Sequence, residues 1–220
     1  MKPCAARPAL SARLVDPVAV IVKSLAVFVA CLAVLVAGPA AGQPAPGDRR
    51  AAFTRRLVAA ALERAKVKVR YVGDYVAIRY PGGDVPPDTG VCSDEIIRIY
   101  RALGIDLQKE VHEDMARARG AYGRRGARLD TNIDHRRVTN LMVFFGRHGE
   151  TLPITARADD YRPGDLVVWD LVAGHIGVVV DRRDPSGARP LILHNVGRGP
   201  VIEDALFSWR ILGHYRYFGP

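Results

Sequence analysis

The chain has 220 residues, with 32 Lys or Arg against 23 Asp or Glu for a formal net charge of +9, and it is 49% hydrophobic. That balance excludes a collagen-like or disordered polymer, and three cysteines in this length exclude a disulfide-stapled scaffold.

Residues 1–42 read as a targeting segment. Lys2, Arg7, Arg13 and Lys23 surround the approach to an uninterrupted apolar run at 25–37, which has the length of a signal-peptide core and falls short of the ~20 residues of a membrane span. Cleavage is expected after Ala40 or Gly42. Counted from Val18 and tolerating Lys23, the same stretch makes an uncleaved anchor the alternative, and with it a membrane tether. Loss of the leader removes four basic residues and one acid, Asp16, and lowers the net charge from +9 to +6. It also removes Cys4 and Cys31, leaving Cys92 alone. No internal disulfide is then available, and a lone thiol sent to an oxidising compartment calls for a chemical explanation. The basic balance suits anionic surfaces such as cell-wall polymers or phospholipid headgroups.

Residues 43–49 are expected to be a Pro/Gly linker and 50–220 one domain. Phe53, Leu57, Val58, Ala61, Leu62 and Ala65 keep helical spacing over 50–66. Residues 67–80 are rich in Val, Ile and Tyr and read as short extended segments turning at Gly73-Asp74. They lead to Tyr80, which is expected to line the site; Tyr71 and Tyr75 read equally well as packing residues. Prolines and paired glycines keep 81–87 out of a helix.

At Cys92 the pattern changes. Cys92, Ile96, Ile99, Tyr100 and Leu103 lie on one face of an amphipathic helix that Gly104 can close. Asp88 or Thr89 is expected to cap it, and Asp94 and Glu95 suit its positive end. Unpaired amides at that end lower a thiol's pKa, so Cys92 is expected to be an activated nucleophile, with Gly90 leaving room for a substrate carbonyl. The bland alternative is a small apolar core residue.

Residues 106–119 form a short charged helix. Adjacent residues such as His112, Glu113 and Asp114 do not share a helix face, and a metal wants three or four convergent ligands, so neither metal nor cofactor is expected. The basic loop at 120–128 has no aromatic platforms for bases and is read as solvated or wall-facing, with no nucleic-acid partner. Residues 130–137 are dense in hydrogen-bonding groups ahead of an apolar helix at 138–145. Asp130, Asp134 and His135 are expected to bind substrate near Cys92, the alternative being a capped helix start.

A turn at 161–165 launches a strand at 166–169, and 174–180 follows as a second strand with His175, Gly177 and Val179 on one face. Gly177 is expected to admit the cysteine helix. After a turn at 182–188, 191–195 returns antiparallel. A hairpin centred between Asp184 and Pro185 puts His194 opposite His175, and a shift of one residue puts Asn195 there instead. Cysteine, histidine and a third polar residue are what cysteine hydrolases need: attack, proton transfer and a group that fixes the imidazole tautomer.

Gly90-Val91-Cys92-Ser93-Asp94, Arg162-Pro163-Gly164-Asp165-Leu166-Val167, His175-Ile176-Gly177-Val178 and His194, in that order, resemble the motifs of the papain-like NlpC-type bacterial cell-wall cysteine peptidases. Asp94 stands where those enzymes commonly have a small residue, and 106–160 is an insertion. The chain from about residue 50 onward resembles the bacterial domain-of-unknown-function family 1287 (DUF1287), including 130–137 and Gly213-His214-Tyr215-Arg216-Tyr217. The resemblance implies an α+β, papain-like (NlpC-type) fold, with the cysteine helix packed on an antiparallel sheet. It implies Cys92 as nucleophile, His175 as base and His194 as the residue orienting it; from the residues themselves, Tyr80, Asp94, Asp130, Asp134 and His135 are expected toward substrate. The expected function is exported amide hydrolysis of peptidoglycan stem peptides by a monomer in the bacterial periplasm or envelope, secretion being the alternative location. A non-catalytic envelope-binding module of the same fold is the competing reading, and a metal hydrolase using the histidines is a third.

Overall fold

The computed structural model describes residues 45–123, 126 and 128–220. The expected leader, with Cys4 and Cys31, and positions 124, 125 and 127 of the basic loop lie outside the described residues. Among the described residues, no helix is long and apolar enough to cross a membrane.

Helix α1 (Pro46–Arg64) begins inside the stretch expected to be a linker. Proline is tolerated at a helix start because the amide it lacks would have no partner there, and Asp48 suits the positive end of the dipole. Leu57, Val58 and Ala61 bury its inner face. Strand β1 (Arg70–Tyr71) pairs in parallel with β2 (Thr89–Gly90), which delivers the chain into α2 (Cys92–Ala102).

Every residue of α2 from Cys92 to Tyr100 is buried, although the helix carries Asp94, Glu95 and Arg98. Ion pairs make this affordable: Asp94 meets Arg136, Glu95 meets Arg64, and Arg98 meets Asp84. A buried charge without such a partner costs several kcal/mol. Helices α3 (Leu107–Arg117), capped by the Asp106 carboxylate, and α4 (Val138–His148) complete the helical layer, with a 3-10 turn, Asp134–Arg136, leading into α4.

The remaining strands are β3 (Glu150–Thr151), β4 (Leu166–Trp169), β5 (His175–Arg183), β6 (Pro190–Asn195), β7 (Pro200–Glu203) and β8 (Ile211–Arg216). They form one antiparallel sheet in the order β3-β8-β4-β5-β6-β7. The architecture is mixed α+β, with four α-helices among the described residues. One face of the sheet presents Leu166, Val168, Ile176, Val178 and Leu193 to the helices, in a cluster that includes Cys92 and Ile96. The alternate residues Val167, Trp169, Val179 and Ile192 pack on Tyr161, Ala205 and Leu206. Two of the sequence motifs meet between β4 and β8, where the Asp165 carboxylate accepts hydrogen bonds from His214 Nε2 at 2.9 Å and Arg216 Nε at 2.6 Å.

Candidate functional site

Cys92 is the first residue of α2. Neither Asp88 nor Thr89 caps the helix: Asp88 pairs with Arg70, and the Thr89 hydroxyl donates to the Pro86 carbonyl. The cap comes instead from Asp94, whose carboxylate accepts the Val91 amide at 2.7 Å. Asp94 is held by the Arg136 guanidinium at 2.7 and 3.0 Å, and the Ser93 hydroxyl donates to the Arg136 carbonyl at 2.7 Å. The Cys92 turn is thus clamped on both sides by one arginine. Gly90 serves that clamp: a Cβ there would lie 3.1 Å from both Arg98 Nη1 and Asp94 Cβ.

The thiol is 4% exposed and lies at a pocket of about 450 Å³, whose other lining residues include Tyr71, Ser93, Arg136, Arg137, Thr139 and Gly174. The backbone amides of Ile176 and Ser93 donate toward the sulfur. Burial outweighs them and pushes the Cys92 thiol up to about 11, with the Asp94 charge adding to the rise. The expected depression does not occur, because losing water disfavours a thiolate more than two amides and a helix end stabilise it. At neutral pH the resting group is a thiol.

His175 Nε2 lies 2.8 Å from His194 Nδ1, and His194 Nε2 lies 2.9 Å from the Glu203 carboxylate. Both rings are buried, against Trp169 and Trp209. The register that brings the imidazoles together is neither of the two expected. His194 pairs with Gly177, and the ladder shifts between Val179 and Arg183, so His194 reaches His175 diagonally on one face. Gly177 permits the diagonal: a Cβ there would approach Ile192 Cγ2 to 2.7 Å, the Leu193 carbonyl oxygen to 2.8 Å and His194 Cβ to 3.1 Å. The glycine therefore makes room within the sheet and does not admit α2. Asn195 donates to the Gly90 carbonyl at 3.5 Å and takes no part in the chain of imidazoles.

The network also sets tautomers, by the logic that each hydrogen bond needs one proton. A carboxylate at Glu203 takes the proton of His194 Nε2. His194 Nδ1 must then accept from His175 Nε2, which leaves a lone pair on His175 Nδ1. Burial, and then the charge of His194, bring the His175 pKa down to about 3, so the ring is neutral at pH 7. Among the described residues no hydrogen bond joins Cys92 Sγ to an imidazole. Ile176, whose amide faces the sulfur, directly follows His175. Ile176 packs with Cys92 on the helix-bearing face, while His175 belongs to the other, so the thiol and the ring approach the start of β5 from different faces.

The residues expected to touch substrate lie elsewhere than the Cys92 pocket wall. Tyr80 is 39% exposed and packs edge-on against His112. Asp130 is engaged by Tyr75 and Asn132, and Asp134 accepts the Asp130 amide at 2.6 Å. His135 is buried, which brings its pKa down to about 4. Asp94 is committed to Val91 and Arg136. Asp130, Asn132 and Asp134 are engaged by their own loop and by Tyr75 and Ile78, beside the wall that Arg136, Arg137 and Thr139 line. Tyr71, Arg137 and Glu203 are the residues that sequence reasoning missed. The Arg136-Arg137 doublet ahead of the apolar helix was the available signal. Tyr71 read as packing; its hydroxyl pKa is raised by burial and then by Cys92 and Asp94. A larger depression, of about 560 Å³, between α3, α4 and the C-terminus includes Glu110, His148 and Tyr217 but no cysteine. Among the described residues, no group of three or more His, Cys, Asp or Glu is placed to hold a metal ion.

Residues 58–217 match the family model described as Domain of unknown function (DUF1287), and the chain belongs to that family. It is also similar to a protein of Escherichia coli (strain K12) described as "Uncharacterized protein YijF", with 52% identity over 148 residues, covering 66% of this chain and 72% of that one.

Proposed function

We propose that this DUF1287 protein is an exported cysteine hydrolase with a papain-like, NlpC-type arrangement, cleaving an amide bond of peptidoglycan stem peptides through a Cys92 acyl-thioester. One observation carries the reading: the Glu203–His194–His175 chain leaves a proton acceptor, His175 Nδ1, on the residue that precedes the sulfur's own amide donor. As Sγ bonds to the substrate carbonyl carbon, the thiol proton passes to His175, a transfer that needs the two groups brought closer on substrate binding because no hydrogen bond joins them among the described residues. Glu203, acting through His194, stabilises the imidazolium that forms. The amide of Cys92, at a helix start where among the described residues no backbone carbonyl accepts it, and the Tyr71 hydroxyl are the donors at hand for the oxyanion. His175 then protonates the leaving amine, and the C–N bond breaks to give the thioester. Water, deprotonated by His175, attacks the thioester and releases the carboxylic acid, and the proton returns to sulfur. The wall substrate is supported by the apolar leader, the basic balance and the ordered motifs.

The buried, protonated thiol favours a second reading, a non-catalytic envelope-binding module. Mass spectrometry of muropeptides incubated with the protein lacking residues 1–42, and with its Cys92→Ala variant, decides between them. Hydrolase chemistry predicts, for each cut amide, two fragments whose masses sum to that of the substrate plus one water, made by the wild type alone. Unaltered muropeptides in both samples would refute it.

A further inference from the structure

We infer that Arg137 is a carboxylate-recognition site, so that the peptide cut at Cys92 carries a carboxylate beside its scissile amide. This names the substrate class of the proposed hydrolase and rests on Cys92 being its nucleophile. Among the described residues, only two charged side chains line the Cys92 pocket, Arg136 and Arg137, and no acid does. Arg136 is buried and spent on Asp94 and on the Asp74 carbonyl. Arg137 is exposed, and its side chain makes no hydrogen bond or ion pair among the described residues. Some exposed arginines elsewhere, such as Arg50, Arg70, Arg189 and Arg198, are matched by carboxylates, and others, such as Arg55, Arg162 and Arg182, have no ion pair among the described residues; what sets Arg137 apart is its place in the Cys92 pocket.

The base of Arg137 is fixed while its tip is free. Its amide donates to the Asp134 carbonyl at 3.4 Å, and its own carbonyl accepts from Asn140 and Leu141 at 3.0 and 3.1 Å as α4 begins. The guanidinium and the positive end of α4, with the exposed Thr139 hydroxyl beside them, therefore face the pocket with no counter-charge from it. A guanidinium fork fits a planar carboxylate through two parallel hydrogen bonds. The apolar remainder of the wall, including Val91, Val138 and Val172, suits the peptide that carries it.

Alkylation of Cys92 by iodoacetate and by iodoacetamide reads the charge at the sulfur directly, since the two reagents differ in little but a carboxylate. Relative to a small free thiol in the same buffer, the wild type should favour iodoacetate. Arg137→Gln should lower that ratio by about three- to tenfold, as removal of one partly screened charge implies, and Arg137→Lys should retain most of it. A ratio unchanged in Arg137→Gln overturns the inference. A second measurement stands apart from thiol reactivity: muropeptides with a free carboxylate should be processed faster than the same peptides amidated, and Arg137→Gln should abolish the difference. Equal processing of the two by the wild type also overturns it. An Arg137-dependent alkylation ratio with muropeptides left intact would sink the hydrolase reading and keep the anion site. Cleaved muropeptides with an Arg137-independent ratio would do the reverse.

Discussion

Asp94→Ala should destabilise the domain by about 3–5 kcal/mol, the cost of leaving one member of a buried ion pair uncompensated. Asp94 and Arg136 are each 2% exposed as side chains, joined by two hydrogen bonds, and Asp94 also supplies the cap of α2. Loss of a cap alone costs about 1 kcal/mol and overlaps with the larger figure, so the two are not summed. For a domain of this size each kcal/mol moves the melting temperature by about 2–4 °C, giving a drop of roughly 6–20 °C. Replacing both charges, as in Asp94→Leu with Arg136→Met, leaves no orphan ion and should recover much of the loss. Urea unfolding followed by circular dichroism measures all four corners of that cycle. The variant should also expose Cys92 to alkylation, because the turn between Val91 and Ser93 loses its clamp. A loss under about 1 kcal/mol for Asp94→Ala, or strict additivity in the double variant, would refute the reasoning.

The rate of Cys92 alkylation against pH should rise with an inflection near 11, above an ordinary thiol, because burial governs the sulfur; an inflection below about 8 would mean that an imidazolium or the helix end dominates. His194→Ala should cut turnover strongly and Glu203→Gln less, while Asn195→Ala should spare the imidazole chain; muropeptide kinetics with equal losses for His194→Ala and Asn195→Ala would place the orienting group elsewhere. Stability should fall as pH drops from about 6.5 toward 3, since His175 and His135, at about 3 and about 4 when folded, are protonated first in the unfolded chain. The contribution is complete above pH 6.5, and urea midpoints at pH 7 and pH 4.5 check it; equal midpoints would show that neither ring is buried in its neutral form.

Helix α2 and the strands around His175 and His194 were legible because apolar spacing reports which side of an element is covered. What the spacing could not report was the second partner of each polar group. Asp94 looked free for substrate, yet Arg136, 42 positions away, claims it. The polar run at 130–135 looked like a binding surface, yet Asp130 and Asp134 serve their own loop. The helix-start argument for Cys92 was sound in sign but blind to desolvation, which depends on everything packed over the sulfur. The pairing of His194 with Gly177 hinged on an irregularity between Val179 and Arg183 that no turn residue announced. Pro46 read as a linker residue although a first helical turn accepts it equally well.

The high thiol pKa has a chemical consequence beyond the resting protonation state. Oxidation to sulfenic acid begins from the thiolate, and at pH 7 a group titrating near 11 offers about a hundredfold less thiolate than one near 9. Peroxides and disulfides should therefore attack Cys92 slowly in the folded protein. The burial that withholds the thiolate would also keep the sulfur reduced without a disulfide partner or a dedicated reductant.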